Sequence, residues 1–208
     1  LAVQTVSAAA QAVPGEHGTV TWTVTNTGEA TARGPWIDRV YFTADGTLAQ
    51  AVQLASVTHS TELTLGATYT ASAAFVFPDS ADGDYRFVVV SDAAGQVFEQ
   101  GREANNTSVT GGGVRIVHPD LAALLVGAPA SAVSGELTTF AWSVENAGSA
   151  AANGAWVDRL YLSRDAVFDG SDGLLGQLVH DGPLAAGARY DASLQAALPI
   201  DLSGGWFV

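Results

Sequence analysis

The sequence repeats itself, and the repeat limits the folds open to it. "GPWIDRVYF", Gly34 to Phe42, returns as "GAWVDRLYL", Gly154 to Leu162, 120 residues later. The same offset lays Val13-Pro14-Gly15-Glu16 on Val133-Ser134-Gly135-Glu136, and "TWTVTNTGEA", Thr21 to Ala30, on "AWSVENAGSA", Ala141 to Ala150. It also brings Tyr41 onto Tyr161 and Asp45 onto Asp165. One inserted residue then moves the offset to 121, which lays Leu65-Gly66-Ala67 and Tyr69 on Ala186-Gly187-Ala188 and Tyr190, Pro78 on Pro199, Gly83 on Gly204 and Tyr85 on Trp206. Solenoid units repeat every 20–50 residues or so, so a period this long is a whole domain. The expected boundary is the short Pro-containing hinge "VHPD", Val117 to Asp120, giving domains 1–117 and 118–208 of the 208 residues.

Each copy reads as all-β. Thr19 to Thr25 alternates strictly, with Val20, Trp22 and Val24 on one face and Thr on the other, the pattern of a half-buried strand. "TNTG" and "ENAG" follow it with turn residues. Trp36 to Thr43 is the next strand. Tyr69 to Phe77 alternates again and stops at Pro78, which has no N–H for a ladder. Tyr85 to Val90 is more continuously apolar, as a central strand should be, and "NNTSVTGGGVRIV" supplies a last strand with a Gly-rich kink or bulge. No segment carries a helical period. About seven short strands per ~100 residues with regular turns predict an immunoglobulin-like β-sandwich.

In a strand, Trp36, Asp38, Val40 and Phe42 share one face and Ile37, Arg39 and Tyr41 the other. The first set reads as core, repeated by Trp156, Leu160 and Leu162. Asp38 is the odd member, because a carboxylate buried without partners costs several kcal/mol. It is expected near the end of the sandwich, accepting bonds from loop N–H groups or from an Arg.

Composition excludes several classes of function. The formal net charge is −13, and all eight basic residues are Arg. A nucleic-acid binder needs a cationic footprint, and an anionic membrane surface is disfavoured for the same reason. There is no Cys, which rules out disulfides and thiolate chemistry. No apolar run approaches the roughly 20 residues that span a bilayer. "LAVQTVSAAAQAV" lacks the positive flank of a signal peptide. The absence of Met marks Leu1 as an unnatural start of translation, so the chain reads as an excerpt.

With its repeated residues in order, the chain resembles the cell-adhesion-related domain found in bacteria (CARDB). The residues that carry the resemblance are Trp22, Asn26 and Gly28; Trp36, Asp38-Arg39 and Tyr41; Asp45; Gly66 and Tyr69; Pro78, Gly83 and Tyr85; then Asp92, Glu99, Glu103 and Asn105-Asn106. Copy one matches from Leu1 to about Val117, and copy two from Asp120 until Val208. The resemblance implies an immunoglobulin-like module strung in tandem within large secreted or surface bacterial proteins, with adhesive or spacer roles and no reaction of its own.

Copy two has only Phe207 and Val208 after Trp206, where copy one runs on from Tyr85 to Val117. Its last strands are therefore expected to be missing. Either the chain is a piece of a longer array, or the open edge is filled by a strand from a neighbouring subunit.

Candidate sites are few. "SRDAVFDGSDGLLG" holds Asp165, Asp169 and Asp172 on a turning loop, the expected place for a hard cation such as calcium. The spacing is not that of an EF-hand, and in copy one Asp45 survives with Ala49 and Val52 at the other two positions; the simpler expectation is a solvated turn with Asp side-chain bonds. Asp92, Glu99, Glu103, Asn105 and Asn106 offer a second cation or partner site, against a simpler expectation of hairpin chemistry with both Asn bonding backbone. Asn105-Asn106-Thr107 and Asn106-Thr107-Ser108 also fit glycosylation acceptors. His17, His59, His118 and His180 are scattered. No hydrolase, metalloprotease or phosphate-cradling motif is present, and Asp38-Arg39 and Asp158-Arg159, pointing to opposite faces, cannot act as one pair.

The function expected is therefore non-catalytic: a spacer, adhesin stalk or filament module of a bacterial extracellular or surface protein. Its partners would be neighbouring repeats or other copies joined by strand addition, with calcium as the cation. A glycan- or protein-binding module is the alternative. It needs exposed aromatics, whereas Trp22, Trp36, Trp142, Trp156 and Trp206 all sit at expected core positions.

Overall fold

The structure, a computed structural model, describes residues 1–208, the side chain of Leu125 excepted. The chain forms two compact units, Leu1–Val117 and His118–Val208, and is almost entirely strand and turn.

Unit 1 contains β1 (Ala2–Ser7), β2 (Gln11–Ala12), β3 (His17–Thr25), β4 (Trp36–Thr43), β5 (Val52–His59), β6 (Thr68–Val76), β7 (Gly83–Val90), β8 (Thr107–Val109) and β9 (Val114–Ile116). One sheet has the order β1-β3-β6, and the other β2-β9-β7-β4-β5, with β8 also on β7. The faces that alternation assigns to the core meet between the two sheets, as in an immunoglobulin-like sandwich. Val20, Trp22 and Val24 of β3 and Trp36, Val40 and Phe42 of β4 are buried, as are Phe87 and Val89 of β7, beside Phe42 and Val40 in the same sheet. Phe75, Phe77 and Phe87 pack edge-on or tilted at one end of this core, and Phe42 stacks on Tyr85 at 4.7 Å. Gly18 is required there, because a Cβ would lie 2.6 Å from the Phe77 ring and 2.8 Å from that of Phe75.

The Gly-rich kink expected near the end of copy one is a break. β8 pairs Val88–Val90 of β7 and β9 pairs Gly83–Tyr85, with Gly111–Gly113 between them. The β5 strand was not anticipated. Its ladder with β4 slips by one residue between Val40 and Tyr41, which leaves Leu54 as the extra residue, and Leu54 packs on the core. Such a bulge breaks the period-2 pattern by which strands are recognised.

Unit 2 contains β10 (Leu121–Gly127), β11 (Leu137–Asn146), β12 (Ala155–Leu162), β13 (Gly173–Asp181) and β14 (Arg189–Ala197). They pair as β10-β11-β14 and β12-β13. The β12–β13 ladder slips at Leu160/Tyr161, the position equivalent to the slip in unit 1, and leaves Leu175 extra. The turn after β3 is clamped by a buried asparagine, and so is its equivalent after β11. Asn26 Nδ2 donates to the carbonyls of Ala30 and Leu63, and Asn146 Nδ2 to those of Ala150 and Leu184. The Asn in "TNTG" and "ENAG" thus ties its own turn to a second loop.

Candidate metal centre

Two polar constellations stand out, and they touch at Asp92. The first answers the question of Asp38, which is 1% exposed. Its Oδ2 accepts the Trp22 indole N–H at 2.8 Å and the Tyr69 hydroxyl at 2.6 Å. Trp36 Nε1 donates to the Tyr69 oxygen at 3.2 Å, and the Asp92 backbone N–H approaches Asp38 Oδ1 at 3.4 Å. A loop N–H does reach Asp38 as expected, but no Arg does, and the principal donors are side chains on β3 and β6. Burial, followed by the bond to Asp38, holds the Tyr69 hydroxyl far above its ordinary pKa.

The same set recurs in unit 2. Asp158 Oδ2 accepts from Trp142 Nε1 at 2.6 Å and Tyr190 at 2.7 Å, and Trp156 donates to Tyr190 at 3.1 Å. His59 and His180 belong to the two sets, His59 stacked on Tyr69 at 4.0 Å and His180 tilted against Tyr190 at 4.1 Å. They are not scattered, and their separation of 121 residues is the signal that would have joined them to the tyrosines. Of the five Trp, Trp22, Trp36 and Trp142 are buried. Trp156 and Trp206 are only partly so, the latter under Arg164 at 3.6 Å from its ring centroid.

The second constellation is the loop from Ser91 to Asn106. Asp92 leaves β7 with φ +48°, a left-handed conformation that Asp tolerates better than most residues. Its carboxylate folds the loop back by accepting the N–H groups of Gln96 at 2.6 Å and Val97 at 2.9 Å. A single 3-10 turn, Glu103–Asn105, then returns the chain to β8. The loop gathers one carboxylate oxygen from each of Asp92, Glu99 and Glu103, all within 4.8 Å of one another. Oxygens around one calcium ion lie up to about 5 Å apart, given bonds near 2.4 Å, so the spacing fits a single hard cation. The donors are all oxygen, which suits calcium, magnesium or manganese better than zinc or copper.

Asp92 is buried, Glu99 half-buried and Glu103 exposed, which leaves a route in from solvent. A cleft of about 170 Å³ opens beside Glu99, lined in part by Asn26, Val97, Phe98 and Arg102. The expected hairpin bonds of Asp92 are present. Asn106, however, bonds side chains and not backbone, donating to Glu99 Oε2 at 2.6 Å and Glu103 Oε2 at 2.8 Å. Asn105 is exposed and Asn106 buried, so of the two acceptor asparagines only Asn105 is accessible.

The carboxylates expected to hold calcium, Asp165, Asp169 and Asp172, do not converge. Asp165 accepts the Val167 N–H at 2.8 Å, Asp169 accepts the Ser171 N–H and hydroxyl at 2.7 Å, and Asp172 accepts the Asp169 N–H at 2.8 Å. These are bonds of a solvated turn, and they hold the Asp169 carboxyl below its ordinary pKa. Asp45 does the same in unit 1, bonded by Thr47 and Thr43. Among the described residues the convergent group is Asp92, Glu99 and Glu103.

The chain belongs to the CARDB family, whose model matches residues 1–110. No curated protein matches the sequence. Among solved structures, it is similar to the CARDB domain of the PF1109 protein from Pyrococcus furiosus, described in complex with di-metal ions. The identity is 17%, over 56% of this chain and 86% of that one, with a TM-score of 0.42. It is also similar to red sea bream transglutaminase, at 17% identity over 96% of this chain and 27% of that one, with a TM-score of 0.35. Among the described residues no helix is long and apolar enough to cross a membrane.

Proposed function

We propose that the chain is a non-catalytic segment of a bacterial extracellular or surface protein, serving as a spacer or adhesive stalk built from two CARDB-like repeats, with calcium held at the Asp92 loop of the first. The observation that carries this is the fate of the recurring carboxylate. Asp38 spends Oδ2 on Trp22 and Tyr69, receives the Asp92 N–H at Oδ1, and is 1% exposed, so it has no free oxygen to offer a substrate. In this role calcium neutralises three converging carboxylates and pins a long loop to the end of the sandwich. Limited proteolysis of the 208-residue chain with and without millimolar calcium tests the proposal. Cleavage within residues 91–106 should slow in calcium, and equal rates would count against it.

A further inference from the structure

Three carboxylates alone leave a cation's coordination incomplete, since calcium takes 6–8 oxygens or so. The wall of the site that faces Glu99 and Glu103 is the side chain of Asn106. This residue is 3% exposed. Its backbone is fixed on both sides, its N–H donating to the Glu103 carbonyl at 3.1 Å and its carbonyl accepting the Ser91 N–H at 2.8 Å. Its Nδ2 bridges the two glutamates, and its buried Oδ1 has no hydrogen-bond partner. A buried carbonyl oxygen left unpaired costs about 1–3 kcal/mol, and native structures keep few of them.

A half-turn of the carboxamide about its last torsion exchanges the oxygen and the nitrogen. With the site empty, that turn sets an oxygen against two carboxylates and is repulsive. With a divalent cation among the carboxylates, an Oδ1–cation contact replaces the two Nδ2 bonds to Glu99 and Glu103, and no bond at Oδ1 is lost because none exists there. We propose that Asn106 is a neutral fourth ligand of the site. Its amide clamps Glu99 and Glu103 together when no ion is present and turns Oδ1 toward a hard divalent cation when one binds. The proposal rests on the cation-holding role given above to Asp92, Glu99 and Glu103.

The test is calcium titration by calorimetry, with thermal unfolding, on the full 208-residue chain and on Asn106→Ala and Asn106→Asp. Asn106→Ala should weaken calcium binding more than tenfold. Asn106→Asp supplies an oxygen but no donor, and adds a fourth negative charge. It should therefore lower the Tm of the calcium-free protein and show a larger calcium-induced rise in Tm than the unsubstituted chain. In the unsubstituted chain, the Asn106 side-chain NH2 resonances should move on adding calcium, a readout that does not depend on the variants folding. Calcium binding with unchanged affinity in Asn106→Ala, or with static Asn106 NH2 resonances, overturns the ligand role and leaves the carboxylate site standing. No heat and no Tm change in the unsubstituted chain overturns the cation site itself.

Discussion

In unit 1 the Trp22–Asp38–Tyr69–Trp36 set is sealed. Asp38 and both indoles are buried, and the Asp92 N–H covers the remaining carboxylate oxygen. In unit 2 the equivalent set keeps its hydrogen bonds, yet the Asp158 side chain is 16% exposed and Trp156 is only partly buried. The histidines differ as well. His59 turns Nε2 to the Thr61 hydroxyl at 3.0 Å, whereas His180 Nε2 lies 3.1 Å from Asp158 Oδ2 without hydrogen-bond alignment. The geometry of the set is thus fixed by β3, β4 and β6, or their equivalents, because all four of its residues lie on them. In unit 1 the loop after β7 adds to its burial, with the Asp92 N–H at Asp38 Oδ1 and the Ser91 hydroxyl 3.3 Å from that of Tyr69. The hydrophobic cores differ in the same sense: unit 1 closes over Phe87, Val89, Val114 and Ile116, and unit 2 is centred on Phe140, Leu160 and Ala196.

The sharpest way to break this comparison is to remove the carboxylate from each unit. Asp38→Ala leaves the buried donor of Trp22 without an acceptor and takes from the half-buried Tyr69 hydroxyl its shortest bond, and should destabilise unit 1 by about 2–5 kcal/mol. Asp158→Ala, where water can reach the orphaned donors, should destabilise unit 2 by about 1–2 kcal/mol. Urea unfolding followed by Trp fluorescence measures both, and equal losses would show that burial does not set the difference.

Calcium is the next lever. At 100 times its Kd, a bound ion adds about 2.7 kcal/mol. This should appear in the unit 1 transition, vanish in a Glu99→Gln/Glu103→Gln double variant, and survive Asp169→Ala. Loss of the effect in Asp169→Ala would return the site to the Asp165–Asp172 loop.

The tyrosines give a smaller, pH-dependent contrast. A raised folded-state pKa favours the neutral phenol, so its stabilisation is complete below about pH 10 and declines above it as the unfolded chain ionises first. Burial pushes Tyr190 up to about 12 and Tyr69 further. Above pH 10 both units should weaken, and the loss in unit 1 should continue to higher pH. Tyr69→Phe removes that dependence.

At the acid side, burial depresses the His59 pKa, with Asp38 opposing. Its contribution is complete above about pH 6.5 and is lost as pH falls through the folded-state value. His59→Gln should flatten this limb of unit 1 in a urea series from pH 7 to about pH 5, the smallest of the expected effects.

The repeated nonapeptide and the strict alternation of Thr19–Thr25 determined the strands and their inward faces, because both depend on residues close in sequence. The buried Asp38 was legible as an anomaly, and the turn asparagines as turn formers. The partners of Asp38 were not, since Trp22 and Tyr69 reach it across 16 and 31 residues, on strands whose pairing is a property of the sandwich. The metal site shows the same division. "DGSDG" sets carboxylates on a turning loop, where a cation could be held, yet its side chains satisfy their own turn. Asp92, Glu99 and Glu103 look like hairpin residues, yet they converge because Asp92 takes a left-handed φ and Asn106, held to Ser91, draws two glutamates together. Local sequence decides which residues form strands and turns; which carboxylates face one another is decided only when distant strands fix both ends of a loop.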